Sequence, residues 1–98
     1  MITISLSETA INCLDRGYWF YETREQGSGE YFKDTLLGEI EGLRVTAGIH
    51  RLIHGHRRLI SRVFPFAIYY KFENSAVEIL TVVDCRRNPD WIREQLKD

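Results

Sequence analysis

The 98-residue chain holds no apolar run approaching the roughly 20 residues that a helix needs to cross a bilayer. Nor does it open on a charged stretch followed by a short apolar one, the mark of a secretory leader. A cytoplasmic, untargeted protein is expected. Cysteine is scarce, and Cys13 and Cys85 are too few and too far apart for a disulfide framework or a Cys-x-x-Cys knuckle. They are expected to be reduced thiols, buried or half-buried. Repeats and low-complexity segments are missing too. A chain of 98 residues suffices for one core and not for two, so one domain over residues 1–98 is expected. The 44% hydrophobic and 28% charged shares are those of an ordinary globular domain.

A further absence is local. Residues 44–71 contain no acid, yet they hold six bases (Arg44, Arg51, Arg57, Arg58, Arg62 and Lys71) and all three histidines, His50, His54 and His56. Residues 1–43 carry eight acids against three bases, and residues 72–98 carry six against four, so a net charge of −1 conceals a positive middle. The small total argues against a general polyanion binder. A local positive segment can still meet RNA phosphate or an acidic protein surface. Without a carboxylate there, any general base would have to be a histidine. His50-x3-His54-x-His56 is a poor metal site, because the segment has no helical stripe and no acid or cysteine nearby in sequence. Neither metal nor cofactor is expected.

Residues 1–6 alternate Ile2, Ile4 and Leu6 with Thr3 and Ser5, the period of a half-buried strand. Ser7 has the chemistry of a helix N-cap, with Glu8 in the first turn. Ile11, Leu14, Tyr18 and Tyr21 predict an apolar helical stripe ending near Gln26, where Gly27-Ser28-Gly29 supplies a stop and a new cap. Phe32, Leu36, Ile40 and Leu43 predict a second helix, and so short a link makes the two an antiparallel hairpin. Gly38 and Gly42 are costly in a helix interior, and close packing is the expected reason. Residues 45–56 read as loop or frayed strand. Strands follow at 57–64, 67–73 and 76–84. A turn at Asn74-Ser75 would set Phe72 opposite Val77, Lys71 opposite Glu78, Tyr70 opposite Ile79 and Tyr69 opposite Leu80. One hairpin face (Ile68, Tyr70, Phe72, Val77, Ile79, Val83) should lie under the helices. The other (Ala67, Tyr69, Lys71, Glu78, Leu80, Val82) is too apolar for water and calls for a cover, from the C-terminal segment or a partner. Asp90 can cap a final helix at 91–96. The expected fold is α+β, in the order β-α-α-β-β-β with a short C-terminal helix, the helical hairpin lying on one face of a mainly antiparallel sheet.

Within this order, particular residues carry a resemblance. They are Arg57, Arg58 and Arg62, then Phe64-Pro65-Phe66, Ile68-Tyr69-Tyr70, Glu73, Ile79-Leu80, Arg86-Arg87-Asn88-Pro89 and Trp91. In this pattern the chain resembles the ParE/RelE toxin superfamily, the plasmid stabilization toxins, and its ParE branch in particular. Element order agrees over nearly the whole chain, and specific residues over roughly the last 40. Asp84-Cys85 stands where that family usually has a histidine before the paired arginines. The resemblance implies the toxin of a bacterial type II toxin–antitoxin system, causing growth inhibition by binding DNA gyrase and neutralised by a cognate antitoxin. It also implies no membrane partner, and DNA contact only through the antitoxin complex. The RelE branch is the alternative, a ribosome-dependent mRNA endonuclease commonly using a tyrosine or histidine near the C-terminus. This chain has no tyrosine after Tyr70 and no histidine after His56, which favours the non-enzymatic branch.

The expected contacts to target or antitoxin are Arg57, Arg58, Arg62, Tyr69, Leu80, Val82, Arg86, Arg87 and Trp91. A nuclease would instead use Arg58, Arg62, His54, His56 and Arg86. Arg58 and Arg62, an even number apart on one strand, should share a face. Arg86 and Arg87 cannot both be buried without partners, and Trp91 is expected to close the core.

Overall fold

The computed structural model describes residues 1–96. In chain order the elements are β1 (Thr3–Leu6), α1 (Glu8–Glu22), α2 (Ser28–Glu41), α3 (Leu43–Thr46), β2 (Leu52–Ile53), β3 (His56–Ile60), β4 (Phe66–Glu73), β5 (Ala76–Asp84) and α4 (Pro89–Gln95). The five strands form one sheet in the order β1-β5-β4-β3-β2. β1 runs parallel to β5, and every other pair is antiparallel. The α+β expectation holds, with one strand more than foreseen. Leu52 and Ile53 pair back onto β3 through a turn in which His54 (φ 55) and Gly55 (φ 85) both take the left-handed conformation.

Ser7 caps α1 as its chemistry predicts, its side chain accepting from the Ala10 N–H at 3.0 Å. The buried stripe is Ala10, Leu14 and Gly17, with Tyr21 half-buried beyond them. Ile11 lies outside it and is 53% exposed. Small residues explain the difference, because Ala10 and Gly17 let backbones approach where a reading by large apolar residues alone puts Ile11 and Tyr18 on the stripe. α1 ends at Glu22, four residues before Gln26. Gly27, at φ 92, is the N-cap of α2, and Ser28 is already helical. The cap is supplied by the preceding helix: the Glu22 carboxylate accepts from the N–H of Gly27 at 3.0 Å and of Gly29 at 2.9 Å. It thereby satisfies donors that a helix start leaves open. Phe32, Leu36 and Ile40 are buried on α2, as foreseen, while Leu43, also buried, opens the separate helix α3.

The foreseen close-packing role of Gly38 and Gly42 is not realised. Both are exposed, and Gly42 simply ends α2. Close approach occurs instead at Gly17, against the Phe32 ring, and at Gly29, where a Cβ would sit 2.5 Å from the Tyr18 carbonyl oxygen. Tyr21, Phe32, Phe64 and Phe66 form an aromatic cluster over this crossing, with neighbouring centroids 5.0 to 5.1 Å apart. Phe32, the one fully buried ring of the four, contributes about 1.5–3 kcal/mol.

Asn74 and Ser75 both have positive φ, as a tight two-residue hairpin turn requires. Phe72↔Val77, Lys71↔Glu78 and Tyr70↔Ile79 pair as predicted. Tyr69 does not pair with Leu80. A bulge between Tyr69 and Tyr70 sets Tyr69 against Thr81, so Leu80 is an inserted residue. The insertion exchanges faces beyond it. Val82 packs with the helical hairpin, while Val83 joins Ala67 and Tyr69 on the opposite side. The cover for that opposite side is α4, through Ile92 and Leu96. Asn88 caps α4, its side chain accepting from the Asp90 N–H at 2.7 Å, so the cap lies two residues before the predicted Asp90. None of the described helices is long and apolar enough to cross a membrane.

Gly17→Ala should force a methyl into the buried Phe32 ring and lower stability by about 1–3 kcal/mol. Gly38→Ala, with open space around it, should raise stability by about 0.5–1 kcal/mol. Urea unfolding of both variants checks the pair, and equal effects would show that the crossing is not at Gly17.

Candidate functional site

Folding scatters the positive segment. Arg44, on α3, is ion-paired with Glu41 and donates to the Ile2 carbonyl at 2.6 Å. Arg57 reaches back over the β2–β3 turn, donating to the carbonyls of His50 at 2.7 Å and Gly48 at 3.3 Å, and so ties down its own loop. Arg58, directly opposite Tyr69, stands on the α4 side of the sheet within electrostatic reach of Cys85. Arg62 does not share a strand face with it, because β3 stops at Ile60. Residues 61–65 form a loop in which the Ser61 hydroxyl accepts from the N–H of Val63 and Phe64, both at 3.2 Å. Arg62 is exposed there, its N–H bound to Glu39 of α2 at 2.8 Å. The foreseen strand of positive charge is thus divided among a loop clamp, one sheet face and a turn.

The histidines do not converge either. The Tyr70 hydroxyl donates to the Ala47 carbonyl at 2.7 Å, so its lone pair receives the Nδ1–H of His50 at 2.6 Å. Burial, and behind it the charge of Arg57, hold His50 below the ordinary histidine range. Burial likewise raises the Tyr70 phenol. His56 Nε2 lies 3.3 Å from the Leu96 carbonyl at the end of α4. His54 is exposed in the turn.

Three of the foreseen contact residues are changed by burial. Tyr69 is 2% exposed beneath α4, Val82 is 3% exposed within the main core, and Leu80 is a half-buried bulge residue. The bulge and α4 account for all three. Trp91 departs the other way: it is 39% exposed, and the Arg87 guanidinium lies 4.7 Å from its ring centroid. Arg86 forms a two-point ion pair with Asp84, at 2.9 and 2.6 Å. That pair holds the Asp84 carboxyl below its usual range. Cys13 is half-buried, and Cys85 is exposed rather than covered.

Cys13, Asp84, Arg87 and Trp91 border a groove of about 390 Å³ between α1 and α4. Its floor comes from β5 (residues 81–84) and Phe66, and one wall is Arg87, Trp91 and Gln95. The other wall is Thr9, Cys13, Arg16 and Phe20, on α1. These four were not singled out in the sequence, although their spacing marks one helix face. Each immediately precedes a core residue of the Ala10, Leu14, Gly17, Tyr21 stripe, so the wall is the neighbouring stripe of the same helix. The groove carries Arg16 and Arg87 against Asp84 alone, and Asp84 is already paired with Arg86. Its potential is therefore positive.

A helical hairpin on a five-stranded sheet, with a short C-terminal helix closing the far face, defines the class of fold. No family model and no curated protein matches the chain. Among solved structures, a chain of "Chromosomal ParDE TA system from P. aeruginosa" superposes with a TM-score of 0.76 at 17% identity, covering 86% of this chain and 96% of that one. The likeness establishes the fold, and it is the fold that the ParE/RelE resemblance implied.

The unfolded chain protonates His50 near the ordinary value of about 6.5, whereas the folded chain resists that proton. Stability present above that value should be lost as pH falls through it toward the lower folded pKa. Urea midpoints measured between about pH 7.5 and 5.5, a window spanning that value, should fall for the native chain and fall less for His50→Gln. An identical decline in the variant would assign the effect to another group.

Proposed function

We propose that the chain is the toxin of a type II toxin–antitoxin pair, that it inhibits growth by binding DNA gyrase, and that a cognate antitoxin encoded beside it neutralises it. The observation that carries this reading is the ParDE-like fold occurring in a chain with the Phe64-Pro65-Phe66, Tyr69-Tyr70 and Arg86-Arg87-Asn88-Pro89 motifs. Those motifs fall at structural joints. The first closes the β3–β4 loop, the second is the centre of the sheet, and the third carries the chain from β5 into α4.

Binding is favoured over cutting by the state of the candidate bases. Phosphodiester cleavage needs a base at the attacking hydroxyl and positive charge at the phosphate, held together. His50 is spent on Tyr70, Tyr70 on Ala47, and Arg57 on its own loop. His56 faces the end of α4. Arg58, Arg62, Arg86, Arg87 and Trp91 remain as surface contacts for target or antitoxin, while Tyr69 and Val82 support them from within.

Induced expression in bacteria should produce filamentation and a DNA-damage response, and the purified chain should block supercoiling by gyrase. Arg58→Glu combined with Arg62→Glu should weaken the arrest or the affinity for the antitoxin, because reversing charge at a contact surface costs both attraction and encounter rate. Rapid loss of translation with cut transcripts would replace gyrase by the ribosome. Absence of any arrest would remove the toxin reading.

A further inference from the structure

Apart from Met1, the most exposed large apolar side chains among the described residues fall in one short stretch. Val45 on α3, Ile49 in the turn after it and Leu52 on the edge strand β2 are 89%, 75% and 64% exposed. Single apolar residues on a surface need no explanation, whereas a group of them marks a contact. Arg57 ties two of the three together. It binds the carbonyls on either side of Ile49, and it is the residue that Leu52 faces across the β2–β3 pair.

The stretch is held in place by bonds from the sheet. The Tyr70 hydroxyl donates to the Ala47 carbonyl at 2.7 Å and accepts from His50 at 2.6 Å, while Arg57 holds Gly48 and His50. A core tyrosine and an arginine thus fix a turn that points Ile49 into water. A loop fixed ahead of binding loses little freedom when it binds.

Charge specifies the occupant. Arg51, between Ile49 and Leu52, is exposed and has no ion-pair partner among the described residues. Beside Leu52 a shallow cleft of about 140 Å³ is lined by Arg57 and Lys71 against Glu73. Two copies of the chain meeting here would set like charges together. A phosphate backbone would answer the charge and leave three apolar side chains unmatched. An acidic protein surface with apolar side chains at its centre matches both.

We propose that this corner, formed by Val45, Ile49, Arg51 and Leu52, is where the toxin grips its target protein, on an acidic surface of that kind. The apolar side chains supply the desolvated centre of the contact, and Arg51 supplies steering and register. The proposal rests on the toxin reading and adds to it where the target is held.

The test uses the full chain, purified gyrase and the product of the adjoining reading frame. Ile49→Thr with Arg51→Glu, both exposed and outside helix and strand, should keep the circular dichroism spectrum and the affinity for the neighbouring product. The same variant should lose growth arrest and need roughly tenfold more protein, or beyond, to half-block supercoiling. Val45→Thr should move both readouts in the same direction. Native arrest and native inhibition in the double variant would overturn the proposal and leave the toxin reading standing. Weakened affinity for the neighbouring product would overturn it by making the corner an antitoxin contact. So would binding to anionic vesicles or duplex DNA that the variant loses while still inhibiting gyrase, or a native dimer that the variant breaks. Arrest without gyrase inhibition, still abolished by the variant, would keep the corner and replace gyrase. A native chain that neither arrests growth nor slows gyrase would remove the toxin reading, and the corner with it.

Discussion

At Ser7 one residue holds three bonds that the rest of the fold is arranged around. Its hydroxyl oxygen accepts from Ala10 at 3.0 Å, its hydroxyl hydrogen goes to the Leu80 carbonyl at 2.7 Å, and its backbone N–H donates to the Ile79 carbonyl at 2.9 Å. The first begins α1. The other two fasten that beginning to β5 at the inserted residue Leu80. The point where β1 ends, the point where the first helix starts and the point where β5 changes faces are therefore the same point. Were the strand to run on before turning, it would continue along β5 past Ile79, where α1 now lies.

The two faces of the sheet are held with very different strength. On one side two helices of 15 and 14 residues bury a continuous stripe and an aromatic cluster. On the other, α4 has seven residues and attaches through Ile92 and Leu96. A helix that short is not stable in water by itself, so its presence depends on those two side chains, the Asn88 cap and the Arg87–Trp91 contact. Segments with few buried contacts open at the lowest free energy. Of the two walls of the groove, α1 is thus the more firmly held.

Much of this architecture could be read from residue order. Alternation in β1, the Ser7 cap, the α2 stripe and the Asn74-Ser75 turn are local signals, and each element forms where its own residues indicate. What could not be read depended on partners distant in sequence. The bulge at Leu80 has no local signature, since its cause includes a hydroxyl 73 residues earlier, and it alone reversed the assignments of Val82 and Val83. The tight glycines were legible only as glycines, because whether Gly17 or Gly38 is crowded depends on Phe32 reaching across from another helix. The contact residues divide along the same line. Arg86, Arg87 and Trp91 sit at a chain reversal and stay accessible, while Tyr69 is closed over by α4.

The positive segment illustrates why charge in a sequence is not charge on a surface. Successive strand residues point to opposite faces, so Arg57 and Arg58 are separated by the sheet itself, opposite Tyr70 and Tyr69 respectively. Arg57 then serves its own loop. The positive corner that does form draws on residues from outside the segment: Arg16 of α1 meets Arg87 before α4 across the groove, with Arg86 at the end of β5. That corner contains no histidine, whereas His50 and His56 flank and enter the β2–β3 hairpin and engage the Tyr70 hydroxyl and the Leu96 carbonyl, and His54 is exposed in its turn. The groove lining thus carries Arg16 and Arg87 and no histidine.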